Sequence, residues 1–284
     1  MHTEEETNKL RKAVALLEDE LNTMRTRMQN VQSIILSNIS HDIRTPMNAI
    51  VGFANLLTDE NMQTGERNEC IDHINLHSKE LLGIIDNMID ASQLQCGGIK
   101  LKEKECYIND ILDEIYEESL ESRHVSLKNL NIIVSKGESD DFFIYADFDR
   151  LKQILRNLIE NAVKFTNKGY VEFGYTKKKP NKVTFFVKDT GPGLGSVNRE
   201  ELFKPFRGGH KSRPHDFVKG AGLGLGLSIS KSLVELMNGE MWPDSKPGKG
   251  TCFYFTLPVR KTSFFKTKLK QLSSMAKQNI ASIF

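Results

Sequence analysis

The chain has 284 residues, of which 39% are hydrophobic, enough for the cores of one large or two modest domains. With 39 Lys and Arg against 37 Asp and Glu, it lacks the strong positive charge typical of nucleic-acid-binding proteins, and we expect no nucleic-acid partner. Four cysteines without CxxC spacing argue against zinc or disulfides and favour a reducing, cytoplasmic location. No apolar run approaches the roughly 18–20 residues of a membrane span, so we expect any membrane anchor to lie outside this chain.

The first 36 residues are predicted to form a coiled coil. Apolar residues recur at alternating steps of four and three, the heptad seam of helices wound around one another. The seam consists of Leu10, Val14, Leu17, Leu21, Met24, Met28, Val31 and Ile35. The seam runs unbroken into the next segment, so we expect the coiled coil of residues 1–36 to continue directly into the helix that follows it.

Residues 37–98 are predicted to form a helical hairpin. The polar segment TDENMQTGE separates the first heptad run from a second one, at Ile71, Ile74, Ser78, Leu81, Ile85, Met88 and Ser92. Two long helices joined by a short loop pack antiparallel and leave their apolar seam half covered. We therefore expect a homodimer in which two hairpins complete a four-helix bundle.

After Gly97 and Gly98 the pattern changes from helical to mixed. Alternating β-branched and aromatic segments predict five strands, NIIVS, FFIYAD, YVEFGY, KVTFFVKD and TCFYFTLPV, and amphipathic segments predict helices at 108–122, 149–166 and 225–237. This order favours an α/β sandwich with helices on one face of a mixed sheet, at residues 102–259. The basic, amphipathic tail, residues 260–284, is equally well interpreted as a linker, a helix on a membrane surface or a helix packed on the bundle.

The segment SHDIRTPMNAI places an unusual polar set on the first helix of the hairpin. His41 and Thr45 share one helix face, and Asp42 lies within reach of Thr45. The heptad count puts His41 beside the seam, so we expect its side chain to point to solvent. Pro46 removes one backbone hydrogen bond and is expected to bend the helix just past the histidine. A lone exposed histidine is usually structural, but this set indicates a functional site.

The segment LKQILRNLIENAVKFTNKG predicts a helix with a polar stripe. Asn157, Asn161 and Lys164 fall at spacings of four and three, opposite an apolar face. Two amides and a lysine arranged in this way can provide an oxygen ligand to Mg²⁺ and donors to phosphate oxygens. The alternative is the solvated face of an ordinary amphipathic helix.

Two glycine-rich segments complete the set of motifs. In FFVKDTGPGLG, Asp189 ends an apolar strand, and Gly191 and Gly193 permit tight turning beneath a ligand. In KGAGLGLGLSISKSLVELM, three glycines precede a helix and expose backbone N–H groups to an anion. These are Gly222, Gly224 and Gly226. Their spacing does not match GxGxxG, and no βαβ unit surrounds them, which argues against a Rossmann site.

Together these motifs resemble the phosphoacceptor, asparagine and glycine boxes of sensor histidine kinases, in order, over residues 30–259. The resemblance implies that residues 1–36 are a coiled-coil signalling helix that follows an upstream sensor. It also implies a dimerisation and histidine phosphotransfer domain at 37–98 and an ATP-binding catalytic domain of the Bergerat type at 102–259. It also implies ATP-dependent autophosphorylation of a histidine and phosphotransfer to an aspartate of a response-regulator receiver. The implied cofactors are ATP and Mg²⁺.

The resemblance assigns roles residue by residue. His41 is the phosphorylated residue, Asp42 orients and deprotonates its imidazole, and Asp42 with Thr45 supports phosphatase activity. Asn161 is the Mg²⁺ ligand, and Asp189 accepts a hydrogen bond from the adenine amino group. The other assigned residues are Asn157 and Lys164 at the phosphates, Phe203 and Phe206 as hydrophobic hinges, and Gly191, Gly193, Gly222, Gly224 and Gly226 in the nucleotide-binding loops.

Two other functions remain open at this point. Gyrase-type and chaperone ATPases share the implied fold but carry a glutamate, as general base, four residues before the Mg²⁺-binding asparagine. Here that position is Asn157, which cannot take a proton, so phosphoryl transfer is favoured over hydrolysis. The second alternative is a catalytically degenerate dimeric scaffold that binds nucleotide. The stimulus, the cognate regulator and the choice between cis and trans phosphorylation are not encoded in any motif.

Overall fold

The computed structural model describes residues 37, 39–59, 61–137, 142–195, 199–205 and 224–259. The predicted coiled coil, the tail, and the predicted site residues Phe206 and Gly222 lie outside the described residues. The chain divides into two compact units. No helix within the described part is both long and apolar enough to cross a membrane.

The first unit contains the predicted helical hairpin, which consists of α1, residues 39–56, and α2, Thr64–Gln95. Helix α1 continues through Pro46, and the bend expected there stays a prediction. Helix α2 begins inside the segment predicted as a loop, because Glu66 Oε2 accepts a hydrogen bond from Gln63 N at 3.2 Å. A glutamate that reaches back in this way satisfies a free N–H group at the helix start.

The second unit contains two sheets. Strands β1 and β3 form an antiparallel pair, and a five-stranded sheet has the order β2-β4-β5-β7-β6, in which only β2 and β4 run parallel. The strands are β1 Glu103–Tyr107, β2 Asn131–Ser135, β3 Phe143–Asp147, β4 Tyr170–Lys179, β5 Lys182–Asp189, β6 Met241–Ser245 and β7 Thr251–Pro258. The five strands predicted from alternation are therefore confirmed, and β1 and β6 are not among them.

The helices of the second unit are α3 Ile108–Leu120, α4 Arg123–Lys128, α5 Phe148–Phe165, α6 Arg199–Leu202 and α7 Gly226–Leu236. Helices α3, α5 and α7 pack against the five-stranded sheet, and α4 packs against α3 and α5. Strand β5 alternates between the two sides: Val183, Phe185 and Val187 are at most 1% exposed, whereas Lys188 is exposed. Phe185 also stacks on Phe255 of β7, with ring centroids 4.7 Å apart. The prediction of helices on one face of a mixed sheet is confirmed.

Helix α5 is held at both ends. At its N-terminus, Asp147 Oδ1 accepts a hydrogen bond from Arg150 N at 3.1 Å, a standard N-cap. At its C-terminus, Lys128 Nζ donates to the carbonyl oxygens of residues 163, 164 and 166 at 2.8, 2.7 and 3.1 Å. A cation there also complements the helix dipole. Its apolar face is buried through Leu151, Ile154, Leu155, Leu158, Ile159, Ala162 and Val163.

The last turns of α2 belong to the second unit, which begins at Asp90. Asp90 is 7% exposed, and its carboxylate accepts hydrogen bonds from Arg150 Nη1 at 2.8 and 2.9 Å and from Gln153 Nε2 at 2.6 Å. A buried carboxylate needs such partners, because an unpaired charge in the interior is strongly unfavourable.

Candidate functional site

The side chain of His41 on α1 is 79% exposed, as the heptad count predicts. Its Nδ1 lies 3.2 Å from Oδ1 of Asp42, whose own side chain is only 20% exposed. Because a carboxylate only accepts hydrogen bonds, this contact places the imidazole proton on Nδ1 and leaves the lone pair on Nε2. In the neutral ring, this tautomer makes Nε2 the nucleophilic atom.

Thr45 lies one helical turn after His41, and its hydroxyl donates to the His41 carbonyl oxygen at 3.1 Å. Pro46, which follows, is buried and has no N–H group to donate to the carbonyl of Asp42. The structure thus brings together the three residues of the predicted acceptor site, His41, Asp42 and Thr45, on one stretch of α1.

In the second unit, the two asparagines of α5 present their amide oxygens. Asn161 Nδ2 donates to the Asn157 carbonyl oxygen at 2.8 Å, which leaves Asn161 Oδ1 for a ligand. Asn157 Nδ2 donates to Gly226 O at 3.4 Å and to Ser230 Oγ at 3.3 Å, which leaves Asn157 Oδ1. Neutral amide oxygens are hard ligands that suit Mg²⁺ when phosphates and water complete its shell. Among the described residues, no cluster of three His, Cys, Asp or Glu side chains offers a rival metal site.

Asp189, at the end of β5, is a fixed hydrogen-bond acceptor. It is 8% exposed, and its Oδ1 accepts from Gly191 N at 2.8 Å and from Thr251 N at 3.2 Å. Burial raises the pKa of the Asp189 carboxyl, and the two backbone hydrogen bonds oppose this rise in part. With Oδ1 occupied, Oδ2 is the atom that is left to accept a hydrogen bond from a ligand.

The loop after Asp189 is shaped by close approaches to its neighbours. A Cβ on Gly191 would lie 2.9 Å from Asp189 Oδ1 and 3.0 Å from the carbonyl oxygen of Phe165, so only glycine fits between the carboxylate and the end of α5. Gly193 has φ +77, and a Cβ there would lie 2.6 Å from Lys246 O. These contacts give both predicted glycines a physical reason.

The turn between β6 and β7 supports Asp189, although it contains none of the predicted site residues. Gly248 N donates to Pro192 O at 2.8 Å, and Thr251 N donates to the Asp189 carboxylate. Gly250 has φ +90, and a Cβ there would overlap the Asp189 carbonyl oxygen. The signal in the sequence was the spaced glycine pair of PGKGT directly before a strand.

The remaining predicted residues are placed as follows. Lys164 continues the stripe of Asn157 and Asn161, with its Nζ 5.7 Å from the ring centroid of Phe165. Lys231 Nζ of α7 lies 4.8 Å from the ring centroid of Phe203. Gly224 has φ +66, and Gly226 is the first residue of α7.

The two units match two known families. Residues 31–97 match the His Kinase A (phospho-acceptor) domain, and residues 146–261 match the family of histidine kinase-, DNA gyrase B- and HSP90-like ATPases. The fold and the two sites thus define a phosphoacceptor helical hairpin followed by a nucleotide-binding domain of the ATPase type. With both domains present in this order, the chain belongs to the sensor histidine kinases.

Known proteins resemble most of this chain. Sensor histidine kinase GacS of Pseudomonas protegens is 33% identical over 236 residues, which are 82% of this chain and 25% of GacS. Autoinducer 2 sensor kinase/phosphatase LuxQ of Vibrio parahaemolyticus is 33% identical over 233 residues, 79% of this chain and 26% of LuxQ. The crystal structure of full-length ShkA in complex with AMPPNP is 29% identical, with a TM-score of 0.57, and the match covers 80% of this chain and 46% of ShkA. The chain thus spans about a quarter of the length of these two curated relatives.

Proposed function

We propose that this chain is the kinase core of a sensor histidine kinase: His41 accepts the γ-phosphoryl group of ATP and passes it to an aspartate of a response-regulator receiver. One observation carries the proposal. The exposed His41 has its Nδ1 held by Asp42, so Nε2 is available to attack phosphorus. The same chain supplies a nucleotide-binding domain with its acceptor atoms in place.

On the acceptor side, Nε2 of His41 attacks the γ-phosphorus as the bond to the β-phosphate oxygen breaks, and ADP leaves with that bonding pair. The attacking imidazole gains positive charge, and the Asp42 carboxylate on Nδ1 stabilises it. In the opposing phosphatase reaction, Asp42 and Thr45 would orient a water molecule that hydrolyses the phosphoaspartate of the regulator to aspartate and inorganic phosphate. The name of LuxQ, a sensor kinase/phosphatase, is consistent with such a second activity in this family.

On the donor side, Asp189 Oδ2 accepts the hydrogen bond from the adenine amino group, which selects adenine over guanine. Asn161 Oδ1 would hold Mg²⁺, which neutralises charge on the phosphates during transfer. Lys164 and the N–H groups at the start of α7 would bind phosphate oxygens directly. The Nδ2 atom of Asn157 donates to two acceptors on α7, so its Oδ1 would act on the phosphates through a bound cation or water.

Hydrolysis of ATP is the less favoured reaction. An amide at position 157 cannot remove a proton from an attacking water molecule. The Asn157 amide is further committed to Gly226 and Ser230 by its two hydrogen bonds. Asn157 therefore serves to position the phosphates and does not act as a general base.

The hairpin supports the proposal of a homodimer. It exposes a large set of apolar side chains, and a monomeric helical hairpin would leave this surface in water. The exposed residues are Met47, Val51, Leu56, Ile71, Leu82, Ile85 and Ile89, with exposures of 39–60%. Two copies that bury these residues would form a four-helix bundle. We place this core in the cytoplasm.

Autophosphorylation with labelled ATP and Mg²⁺ tests the proposal. Purified protein should form an acid-labile, base-stable phosphoprotein, and the label should be lost in His41→Gln. His77→Gln is the matched control, because His77 lies in the same hairpin and its Nδ1 is 2.8 Å from Glu80 Oε2. This variant should still be labelled. Label that persists in His41→Gln would refute the assignment. ATP binding without label would favour the degenerate scaffold, and sustained phosphate release without label would favour an ATPase.

A further inference from the structure

Ser230 is a polar residue that the proposed function does not use. It lies on α7, one turn after Gly226, and has no exposed surface. Alanine has the higher helix propensity, so a serine hydroxyl buried inside a helix calls for a compensating interaction. Its hydroxyl lies 3.3 Å from Nδ2 of Asn157 on α5.

Two hydrogen-bond acceptors on α7 hold the Asn157 amide in one orientation. The Gly226 carbonyl only accepts hydrogen bonds, so it must face the NH₂ group rather than the oxygen of the amide. The Ser230 hydroxyl is the second acceptor for the same nitrogen and restricts where the amide plane lies. With Nδ2 bonded to both acceptors, Oδ1 is the atom of the Asn157 amide that is left for the nucleotide site.

We propose that Ser230 is a positioning residue that sets Asn157 Oδ1 for the Mg²⁺-nucleotide. This inference rests on the proposed function. It adds a specific connection between two parts of the nucleotide site. Helix α7 begins directly after the glycine-rich segment, and the hydrogen bond between Ser230 and Asn157 connects its second turn to α5. A change in the position of α7 would therefore change where Asn157 presents its oxygen, without any contact between Ser230 and the ligand.

Two substitutions of equal volume isolate the hydroxyl. Ser230→Thr and Ser230→Val each add a methyl group to the buried site, but only threonine keeps the hydroxyl. Ser230→Ala removes the hydroxyl without added volume. It therefore still measures the effect of losing the hydroxyl if the larger threonine and valine side chains disturb the packing. Each variant is made in the full chain, and its melting temperature is compared with that of the wild type.

The readout is ADP binding by calorimetry, with Mg²⁺ and with EDTA. We expect Ser230→Val and Ser230→Ala to bind ADP about 3- to 10-fold more weakly than Ser230→Thr and the wild type when Mg²⁺ is present, the range that loss of one buried hydrogen bond predicts. In EDTA all four proteins should bind ADP equally. A residue that only stabilised the fold would lower both affinities together with the melting temperature.

Equal Mg²⁺-ADP affinities for the threonine and valine variants would overturn the inference, as would a loss in Ser230→Val that persists in EDTA. If the wild type binds ADP with the expected Mg²⁺ dependence and labels His41, such a result removes the role of Ser230 alone. If the wild type shows neither behaviour, the proposed function fails first and the role of Ser230 fails with it.

Discussion

Replacement of Asp189 by asparagine should change which base the nucleotide site accepts. Oδ1 of Asp189 receives two backbone N–H groups, from Gly191 at 2.8 Å and Thr251 at 3.2 Å. In Asp189→Asn the amide oxygen must take this position, since an NH₂ group cannot accept these bonds. The new Nδ2 then stands where Oδ2 stood, and a donor faces the amino group of adenine.

The magnitude follows from two losses. A hydrogen bond to a charged acceptor contributes about 1.5–3 kcal/mol, and a buried donor left without a partner costs about 1–3 kcal/mol. Together they amount to about 2.5–6 kcal/mol, which corresponds to an affinity loss of roughly 10²- to 10⁴-fold. An inosine nucleotide carries a carbonyl oxygen at the same ring position, and this oxygen should accept from the new Nδ2. The preference between the two bases should therefore invert.

Calorimetric titration with ADP and with IDP, both with Mg²⁺, measures this inversion in the wild type and in Asp189→Asn. The variant should keep or raise its melting temperature, because the substitution removes a buried charge whose pKa is raised by desolvation. The reasoning is refuted if the variant binds ADP as the wild type does. It is also refuted if a well-folded variant loses ADP and IDP affinity to the same extent.

Three further predictions concern the same domain. Gly250→Ala should weaken both folding and ADP binding, because its Cβ would overlap the Asp189 carbonyl oxygen; Gly248→Ala, with φ +74 but open space around it, is the control and should cost only about 1–2 kcal/mol of backbone strain. Lys128→Met should lower the unfolding free energy by about 2–3 kcal/mol in chemical denaturation, because three carbonyls at the end of α5 lose a charged donor, whereas the exposed Lys178→Met should have little effect. ADP affinity should fall as the pH drops through the raised pKa of Asp189, because the amino group of adenine donates to the ionised carboxylate. Protonation also relieves the cost of the buried charge, so the gain in melting temperature of Asp189→Asn over the wild type should shrink over the same pH range. An ADP affinity that stays constant through that range would contradict the assignment.

Local patterns predicted the elements that carry strong periodicity. Strand β5 and helix α5 were recognised because their apolar residues repeat with periods of 2 and 3.6. Strand β6 does not stand out by alternation, because it is an edge strand of five residues with Pro243 at its centre, and proline is tolerated only where no ladder hydrogen bond is needed. Strand β1, with the sequence EKECY, is mostly polar and gains its pairing only from β3. Such elements are defined by their tertiary partners.

The candidate site shows the same division. His41 and Asp42 are neighbours in sequence, and the asparagines of α5 are one turn apart, so spacing alone placed them together. Thr251 donates to Asp189 across 62 residues, and Ser230 meets Asn157 across 73. The atoms that contact the recognised residues lie far away in sequence. A single serine or a backbone N–H group at such a distance belongs to no sequence motif, so these contacts could not be predicted.

The pairing of Asp90 with Arg150 decides where this chain can be cut. Composition marks the connection after Gly97 and Gly98 as the natural boundary, and a fragment that begins at Lys102 would follow it. That fragment would lack Asp90, so the guanidinium of Arg150 and the amide of Gln153 would lose their shared hydrogen-bond acceptor, which lies at 2.6–2.9 Å in this structure. A fragment that begins a turn before Asp90 keeps it. For anyone who wants the nucleotide-binding domain in isolation, the right place to divide the protein is within a continuous helix.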